Sequence, residues 1–196
     1  MKRNVAILIF PEVEVLDFAG PFEVFAVADE LRGHDTFHTF TVAPAPGTVR
    51  ARNGLQVVPD FTFENCPAPQ VLVVPGGFGT RALLQQPRLL DWIRAHARPA
   101  EIVMSVCTGA LVLAQAGLLD GLRITTHHEQ HALLAGMVPT ATVDPSRRFH
   151  DNGQILTAAG ISAGIDCALH VVGRLLGDAA AKNTADYMEY QRADPA

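Results

Sequence analysis

Short apolar runs alternate along this chain with longer segments of helical periodicity. The runs at residues 5–10, Val71–Val74 and Ile102–Val106 carry no charged side chain, which is typical of strands buried on both faces of a parallel sheet. Helical patterns lie between the strands and predict helices at residues 21–31, 87–97, 108–117, 159–176 and 178–190. Strands separated by helices in this rhythm predict an α/β sandwich, in which helices flank a mainly parallel sheet.

Further strands extend the predicted sheet. Residues Phe37–Ala43 alternate between apolar and polar side chains, and a short run at residues 123–126 leads directly to His127. Residues 149–157 contain an Asn-Gly pair between two alternating runs, which predicts a β-hairpin. With 196 residues and 48% hydrophobic content, the chain can bury one sizeable core, so we predict a single domain over residues 1–196.

The junction after Ile102–Val106 carries the clearest chemical signal. Cys107 follows this strand directly, and Thr108 and Gly109 open the next helix. A sharp strand-to-helix turn, or nucleophile elbow, lifts a side chain above the carboxyl edge of the sheet and aims it at the first free N–H groups of the helix. These donors and the helix dipole stabilise a thiolate. We therefore predict that Cys107 is a nucleophile; the alternative is a small core residue.

Other reactive groups are expected at the same edge of the sheet. In parallel α/β sheets the ligand site lies beyond the carboxyl ends of the strands, so the loops that carry Asp17, Gly76, Cys107 and His127 should converge there. Asp17 would supply a carboxylic acid whose pKa is raised by burial and which passes a proton to or from the thiol. Its alternative role is that of a helix N-cap, because Pro21 suits a first helical turn.

A glycine-rich turn, Pro75-Gly76-Gly77-Phe78-Gly79, follows the strand Val71–Val74. It matches neither the Walker sequence nor the dinucleotide-binding pattern G-x-G-x-x-G, so phosphate binding is not predicted. Glycine lets a backbone N–H approach a substrate oxygen closely, and we predict that Gly76 and Gly77, with the N–H of Thr108, form an oxyanion hole. The alternative is an ordinary tight turn.

Three histidines lie in the sequence H-H-E-Q-H, at positions 127, 128 and 131. An i, i+4 pair on a helix could hold a metal ion, but the spacing H-E-x-x-H of zinc proteases is absent. We therefore predict no metal site. His127 is expected to face the cysteine and contribute to substrate binding, and the other two histidines are expected to be solvated.

Composition narrows the class of protein. The net charge of -5 and the absence of a basic stripe argue against a nucleic-acid partner, and no apolar run is long enough to span a membrane. The N-terminal apolar run is too short for a signal peptide. Cys66, Cys107 and Cys167 show no C-x-x-C spacing, so a cytoplasmic, reducing environment is expected. Cys66 is predicted to be a loop bystander and Cys167 a core residue.

The chain resembles the DJ-1/PfpI superfamily along essentially its whole length. The matching segments are V-A-I-L-I-F-P, L-D-F-A-G-P-F-E-V-F, V-V-P-G-G, S-V-C-T-G-A, T-T-H-H and A-A-G-I-S-A-G-I-D. The second and the last are similar to the isocyanide hydratase branch and to the sensor domain of AraC-type transcription regulators. The resemblance implies a flavodoxin-like fold, a homodimer and no cofactor. It also implies that Cys107 is the nucleophile, Asp17 its acidic partner, and Thr108 the residue that completes the site.

The same resemblance implies a function. It suggests a cofactor-independent lyase that hydrates a small isocyanide to an N-substituted formamide, with Cys107 attacking the terminal carbon and Asp17 handling the proton. Two alternatives stay open: a non-catalytic small-molecule or redox sensor with an oxidised Cys107, and a glyoxalase or deglycase-like enzyme acting on 2-oxoaldehydes. AraC-type regulators carry a helix-turn-helix region after this domain, which is not expected here.

Overall fold

A seven-stranded sheet organises the fold in the computed structural model, which describes residues 2–192. The strands are β1 (Arg3–Leu8), β2 (Phe37–Ala43), β3 (Val49–Arg50), β4 (Gln56–Val57), β5 (Phe61–Thr62), β6 (Val71–Val74), β7 (Ile102–Val106), β8 (Arg123–Ile124), β9 (Thr142–Val143), β10 (Phe149–Asp151) and β11 (Ile155–Ala158). The helices are α1 (Val15–Glu30), α2 (Thr80–Leu83), α3 (Pro87–Ala97), α4 (Gly109–Gln115), α5 (His131–Met137), α6 (Ala163–Leu176) and α7 (Asp178–Tyr187). Two short 3₁₀ helices lie at Arg52–Gly54 and His128–Gln130.

The strand order confirms the predicted α/β architecture. The central sheet runs β10-β11-β7-β6-β1-β2-β5, and only the pair β10–β11 is antiparallel. The carboxyl ends of β1, β6, β7 and β11 therefore meet at one edge, and the loops that follow these four strands share it. The predicted hairpin is the β10–β11 pair.

The core lies on both faces of this sheet. Strands β6 and β7 are buried along their whole length, as the uncharged runs in the sequence predict. Helices α1 and α6 pack against each other on one face. Their close approach depends on Gly20, because a Cβ there would lie 2.9 Å from Cγ1 of Ile165. This contact brings the start of α1 close to the loop that precedes α6.

Several predicted elements differ from the structure in their bounds. Helix α6 begins at Ala163 rather than at residue 159, which leaves residues 159–162 in the loop after β11. Helix α1 begins at Val15 rather than at Pro21, which lies inside it. The earlier turn buries Phe18 in the hydrophobic core, and this gain favours the longer helix. Asp17 is thus the third helical residue, and its alternative role as an N-cap is wrong. Strand β8 is shorter than predicted and pairs with β9 in a separate two-stranded sheet.

The segment after β8 is also more helical than its sequence suggests, since α5 was not predicted. Within residues 2–192, no helix has both the length and the apolar character needed to cross a bilayer.

Candidate active site

Cys107 occupies a tight elbow between β7 and α4. Its backbone has a φ of 56°, a left-handed conformation that is costly for a non-glycine residue. Two hydrogen bonds hold this backbone in place. The Cys107 N–H donates to the carbonyl of Ala159 at 2.9 Å, and the Thr126 hydroxyl donates to the carbonyl of Cys107 at 2.7 Å. The side chain is 6% exposed. A strained, hydrogen-bonded turn at the sheet edge is the geometry of a nucleophile elbow.

Asp17 lies at the same edge and is completely buried. Its Oδ2 accepts a hydrogen bond from the Gly76 N–H at 3.0 Å. Oδ1 meets no donor in hydrogen-bonding geometry among the described residues, although the Cys107 thiol and the Ile161 N–H are near enough to lower the pKa. Burial outweighs these effects and, with the nearby charge of Glu14, raises the pKa of Asp17 to about 7.

Asp17 and Cys107 titrate as a coupled pair. Burial, followed by the charge of Asp17, raises the pKa of Cys107 to about 12, while the N–H groups of Thr108 and Ile161 lower it. The pair therefore gives up one proton near pH 7 and holds the second until far above it. Between these limits the remaining proton lies mainly on the Cys107 sulfur, because the pKa of the thiol is well above that of the carboxyl group, and the thiolate forms when Asp17 takes that proton. A buried thiol beside a buried carboxyl group is the combination of groups that nucleophilic and acid–base catalysis uses.

The two glycines of the turn after β6 hold this pair in place. The Gly77 N–H donates to Oγ1 of Thr108 at 2.9 Å, and the Gly76 N–H is taken by Asp17. Both N–H groups thus have acceptors inside the protein. The sequence predicts instead that they point at a substrate oxygen. A Cβ on Gly76 would lie 2.5 Å from the Thr108 nitrogen and 2.9 Å from Oδ2 of Asp17. Gly76 is therefore needed for this close approach.

Ile161 is a site residue that the sequence reasoning missed. It lies in the loop between β11 and α6 with a φ of 50°, and its N–H lowers the pKa of both Asp17 and Cys107. One feature that points to this loop is the direction of β11. This strand is parallel to β7, so the loop after it lies at the same edge of the sheet as Cys107. The sequence assigned residue 161 to a helix, which hid its role as a donor.

His127 lies beside this site rather than in its centre. Its ring contacts the ring of His128 in a tilted arrangement, with centroids 4.2 Å apart, and a Cβ on Gly160 would lie 2.6 Å from Cδ2 of His127. None of the recorded hydrogen bonds in residues 2–192 joins it to Cys107 or Asp17. His131 is half-buried and its Nε2 lies 3.2 Å from the carbonyl of Thr126, so the expectation that it is simply solvated is wrong.

The histidines also fail to share a helix face. His127 precedes the 3₁₀ helix His128–Gln130, and His131 begins α5. In the described part of the chain, no three His, Cys, Asp or Glu side chains are grouped as metal ligands would be.

We expect the three thiols to differ in reactivity. Cys107 should be alkylated at a rate that rises with an apparent pKa near 7, because the pair loses its first proton there. Cys66 should react only as its own pKa of about 11 is approached, and Cys167 is fully buried. Limiting iodoacetamide at pH 6 to 9, followed by peptide mass mapping, measures all three. Faster labelling of Cys66 than of Cys107 at pH 8 would contradict the assignment.

Known proteins are similar to this chain in sequence and in fold. The model of the DJ-1/PfpI family matches residues 3–174. The isonitrile hydratase of Pseudomonas putida is 39% identical over 196 residues, which cover 100% of this chain and 82% of that protein. The transcriptional regulator GbdR of Pseudomonas aeruginosa is 28% identical, but the match covers 97% of this chain and 51% of the regulator. A THiJ/PfpI family protein from Pseudomonas syringae has a TM-score of 0.88 at 31% identity, covering 100% of this chain and 78% of that one.

Proposed function

Because this chain belongs to the DJ-1/PfpI family, we propose that it is a cofactor-independent enzyme that hydrates isonitriles (isocyanides) to N-substituted formamides. The observation that carries the proposal is the buried pair at the sheet edge, in which Asp17 accepts a hydrogen bond from the Gly76 N–H and Cys107 occupies the strained elbow. The reaction needs a soft nucleophile and an acid that later acts as a base, and this pair supplies both. The full-length similarity to an isonitrile hydratase supports the same substrate class.

The proposed reaction begins when the Asp17 carboxylate takes the proton of the Cys107 thiol, which gives the thiolate and the protonated acid. The sulfur bonds to the terminal carbon of R–N≡C, and Asp17 delivers its proton to that carbon, giving the thioimidate R–N=CH–S–Cys107. The carboxylate of Asp17 then takes a proton from water as the water oxygen bonds to the same carbon, and passes that proton to the nitrogen. The adduct loses its hydroxyl proton to Asp17 and breaks the C–S bond. R–NH–CHO leaves, and the thiolate and the protonated acid are restored.

The surrounding residues stabilise the charged states of this cycle. The N–H groups of Thr108 and Ile161 favour the thiolate, since both lower the pKa of Cys107. Gly76 orients Asp17 through its N–H, and Gly77 fixes the Thr108 side chain. His127 lines the cleft beside the elbow and is proposed to contact the substrate.

The direct test is turnover of a simple alkyl or aryl isonitrile by the purified protein without added metal or nucleotide. The product should be the formamide, and reaction in ¹⁸O-labelled water should place the label on the formyl oxygen. Methylglyoxal is assayed in parallel. Turnover of methylglyoxal alone would instead support a glyoxalase-like enzyme.

A sensor is the second candidate function, because a transcriptional regulator matches 97% of this chain. In that case Cys107 would be oxidised to a sulfinate or would bind a ligand without turnover. Inactivity towards both substrate classes, together with a mass gain of two oxygens on Cys107 after mild peroxide treatment, would favour this alternative.

We also propose that the protein is a homodimer. Helix α1, which carries Asp17, exposes Leu16, and Leu31 follows its last residue; these side chains are 38% and 43% accessible, and a second copy would cover them. Light scattering at micromolar concentration should return twice the 21.0 kDa of one chain. A mass of one chain would contradict the proposal.

A further inference from the structure

A cleft of about 350 Å³ opens beside the elbow. Four of its lining side chains can carry a positive charge, namely His127, His128, His131 and Arg148. The cleft also includes Thr126, Ala159 and Ile161, whose polar groups contact or influence Cys107. It therefore borders the nucleophile and is available to the part of a substrate that extends away from the reacting carbon.

Arg148 is held rigidly in the wall of this cleft. Its Nε donates to Oδ2 of Asp166 at 2.6 Å, and its Nη2 donates to Oγ of Ser162 at 3.1 Å. Asp166 is 3% exposed, so its carboxylate fixes the guanidinium from the protein side. A guanidinium has five N–H donors, and it can hold both contacts while donating to a ligand. An arginine fixed in this way loses little side-chain entropy when it binds an anion.

The histidine side chains can add N–H donors to the cleft. Nδ1 of His127 accepts a hydrogen bond from the Glu129 N–H at 3.4 Å, which assigns the proton of the neutral ring to Nε2. The Glu129 carboxylate also approaches Nδ1, at 3.9 Å, and not Nε2. Among the described residues that line the cleft, none is Asp or Glu. The charged groups of the lining therefore favour a ligand that is an acceptor and carries negative charge.

We propose that this cleft binds a carboxylate on the substrate, so that the preferred substrates are small isocyano acids. The inference rests on the proposed hydratase function and names the substrate class within it. A carboxylate matches the planar fork of a guanidinium. One arginine whose charge is already shared with Asp166 suits a monoanion better than a phosphate. The limited volume suits a short chain between the carboxylate and the isonitrile carbon that Cys107 attacks.

The test compares kcat/KM for isocyanoacetate and for its methyl ester, which differ mainly in the charge of one end. The wild-type protein should prefer the acid. Arg148→Met should lower kcat/KM for the acid about tenfold to a hundredfold more than for the ester, mainly through KM, because a hydrogen bond to a charged group is worth about 1.5–3 kcal/mol. Arg148→Lys should retain part of the preference. Arg147→Met removes the same charge from the neighbouring exposed residue and should leave the ratio unchanged.

The outcomes separate this inference from the proposed function. If the ester is turned over as well as the acid or better, the carboxylate site is wrong and the hydratase stands. A simple alkyl isonitrile is assayed beside the two compounds, and if it alone is turned over, the hydratase stands and the carboxylate site is wrong. If none of the three is turned over, the hydratase is wrong, and NMR titration of the wild-type protein with the acid and the ester decides the site: tighter binding of the acid supports it, and equal binding overturns it. Should Arg148→Met fail to fold, inhibition of the wild-type enzyme replaces it. N-formylglycine should inhibit at least tenfold more strongly than N-methylformamide, and equal inhibition overturns the site.

Discussion

Replacing Cys107 with alanine is expected to abolish isonitrile turnover, with a loss of at least about 10⁴-fold, as is found when the nucleophile of a covalent mechanism is removed. Asp17 alone cannot replace it, because a carboxyl group is a far weaker nucleophile towards carbon than a thiolate. The change removes only a small, nearly buried sulfur, so the fold should persist. Formamide formation, followed by chromatography under single-turnover and steady-state conditions, measures the loss.

Cys66→Ala is the matched control. Cys66 is half-buried in the loop before β6, and its thiol donates to the carbonyl of Pro67. This cysteine is distant in sequence from the elbow and has no proposed part in the reaction. This variant should keep the wild-type rate. Retention of more than a few per cent of the rate by Cys107→Ala, with normal circular dichroism, would show that the sulfur forms no bond with the substrate.

Local sequence patterns predict much of the fold. The bounds of β6, β7 and α3 agree with the sequence prediction, because uncharged runs and a proline at the start of a helix are strong local signals. The position of Cys107 between β7 and α4 made the elbow predictable for the same reason. These signals depend on a few adjacent residues and need no knowledge of what packs against them.

Features that depend on tertiary contacts were missed. The sequence predicts the start of α1 at Pro21 because proline favours a first turn, but the burial of Phe18 in the core extends the helix towards its N-terminus. The acceptors of the Gly76 and Gly77 N–H groups come from α1 and from Thr108, far away in sequence. Periodicity carries no information about such partners, so the same glycines were assigned to an oxyanion hole.

The site also stores unfavourable conformations that the rest of the core must offset. Cys107 and Ile161 both have positive φ values, which cost about 1–3 kcal/mol each for a non-glycine residue, and Asp17 is a buried acid with one unpartnered oxygen. Such groups persist only where the surrounding structure determines them. Their concentration at one edge of the sheet is itself an argument that this edge is functional.

Asp17→Asn is expected to lower kcat/KM by about 10² to 10⁴-fold, because the amide accepts the Gly76 N–H but cannot give or take a proton. The wild-type rate should rise with pH through an apparent pKa near 7, where the pair loses its first proton, and then level off. In the variant the Cys107 thiol titrates alone, and burial still raises its pKa. The residual activity should therefore move to alkaline pH. If the rate of the variant still rose through an apparent pKa near 7, the assignment of that pKa to the pair of Asp17 and Cys107 would be wrong.

The same substitution should stabilise the protein as the pH rises. Burial raises the folded-state pKa of Asp17 to about 7 from 3.8, so between these values the folded state binds more protons than the unfolded state, and wild-type stability falls with increasing pH. The loss amounts to at most about 4 kcal/mol by pH 8. Cys107 adds nothing over this range, because its thiol stays protonated in the unfolded chain and its folded pKa is raised further. Urea unfolding at pH 5 and pH 8 should thus show Asp17→Asn gaining free energy of unfolding relative to the wild type only at the higher pH. An equal difference at both pH values would show that the pKa of Asp17 is not raised in the folded protein, because its carboxyl group would then be ionised in both the folded and the unfolded state throughout this range.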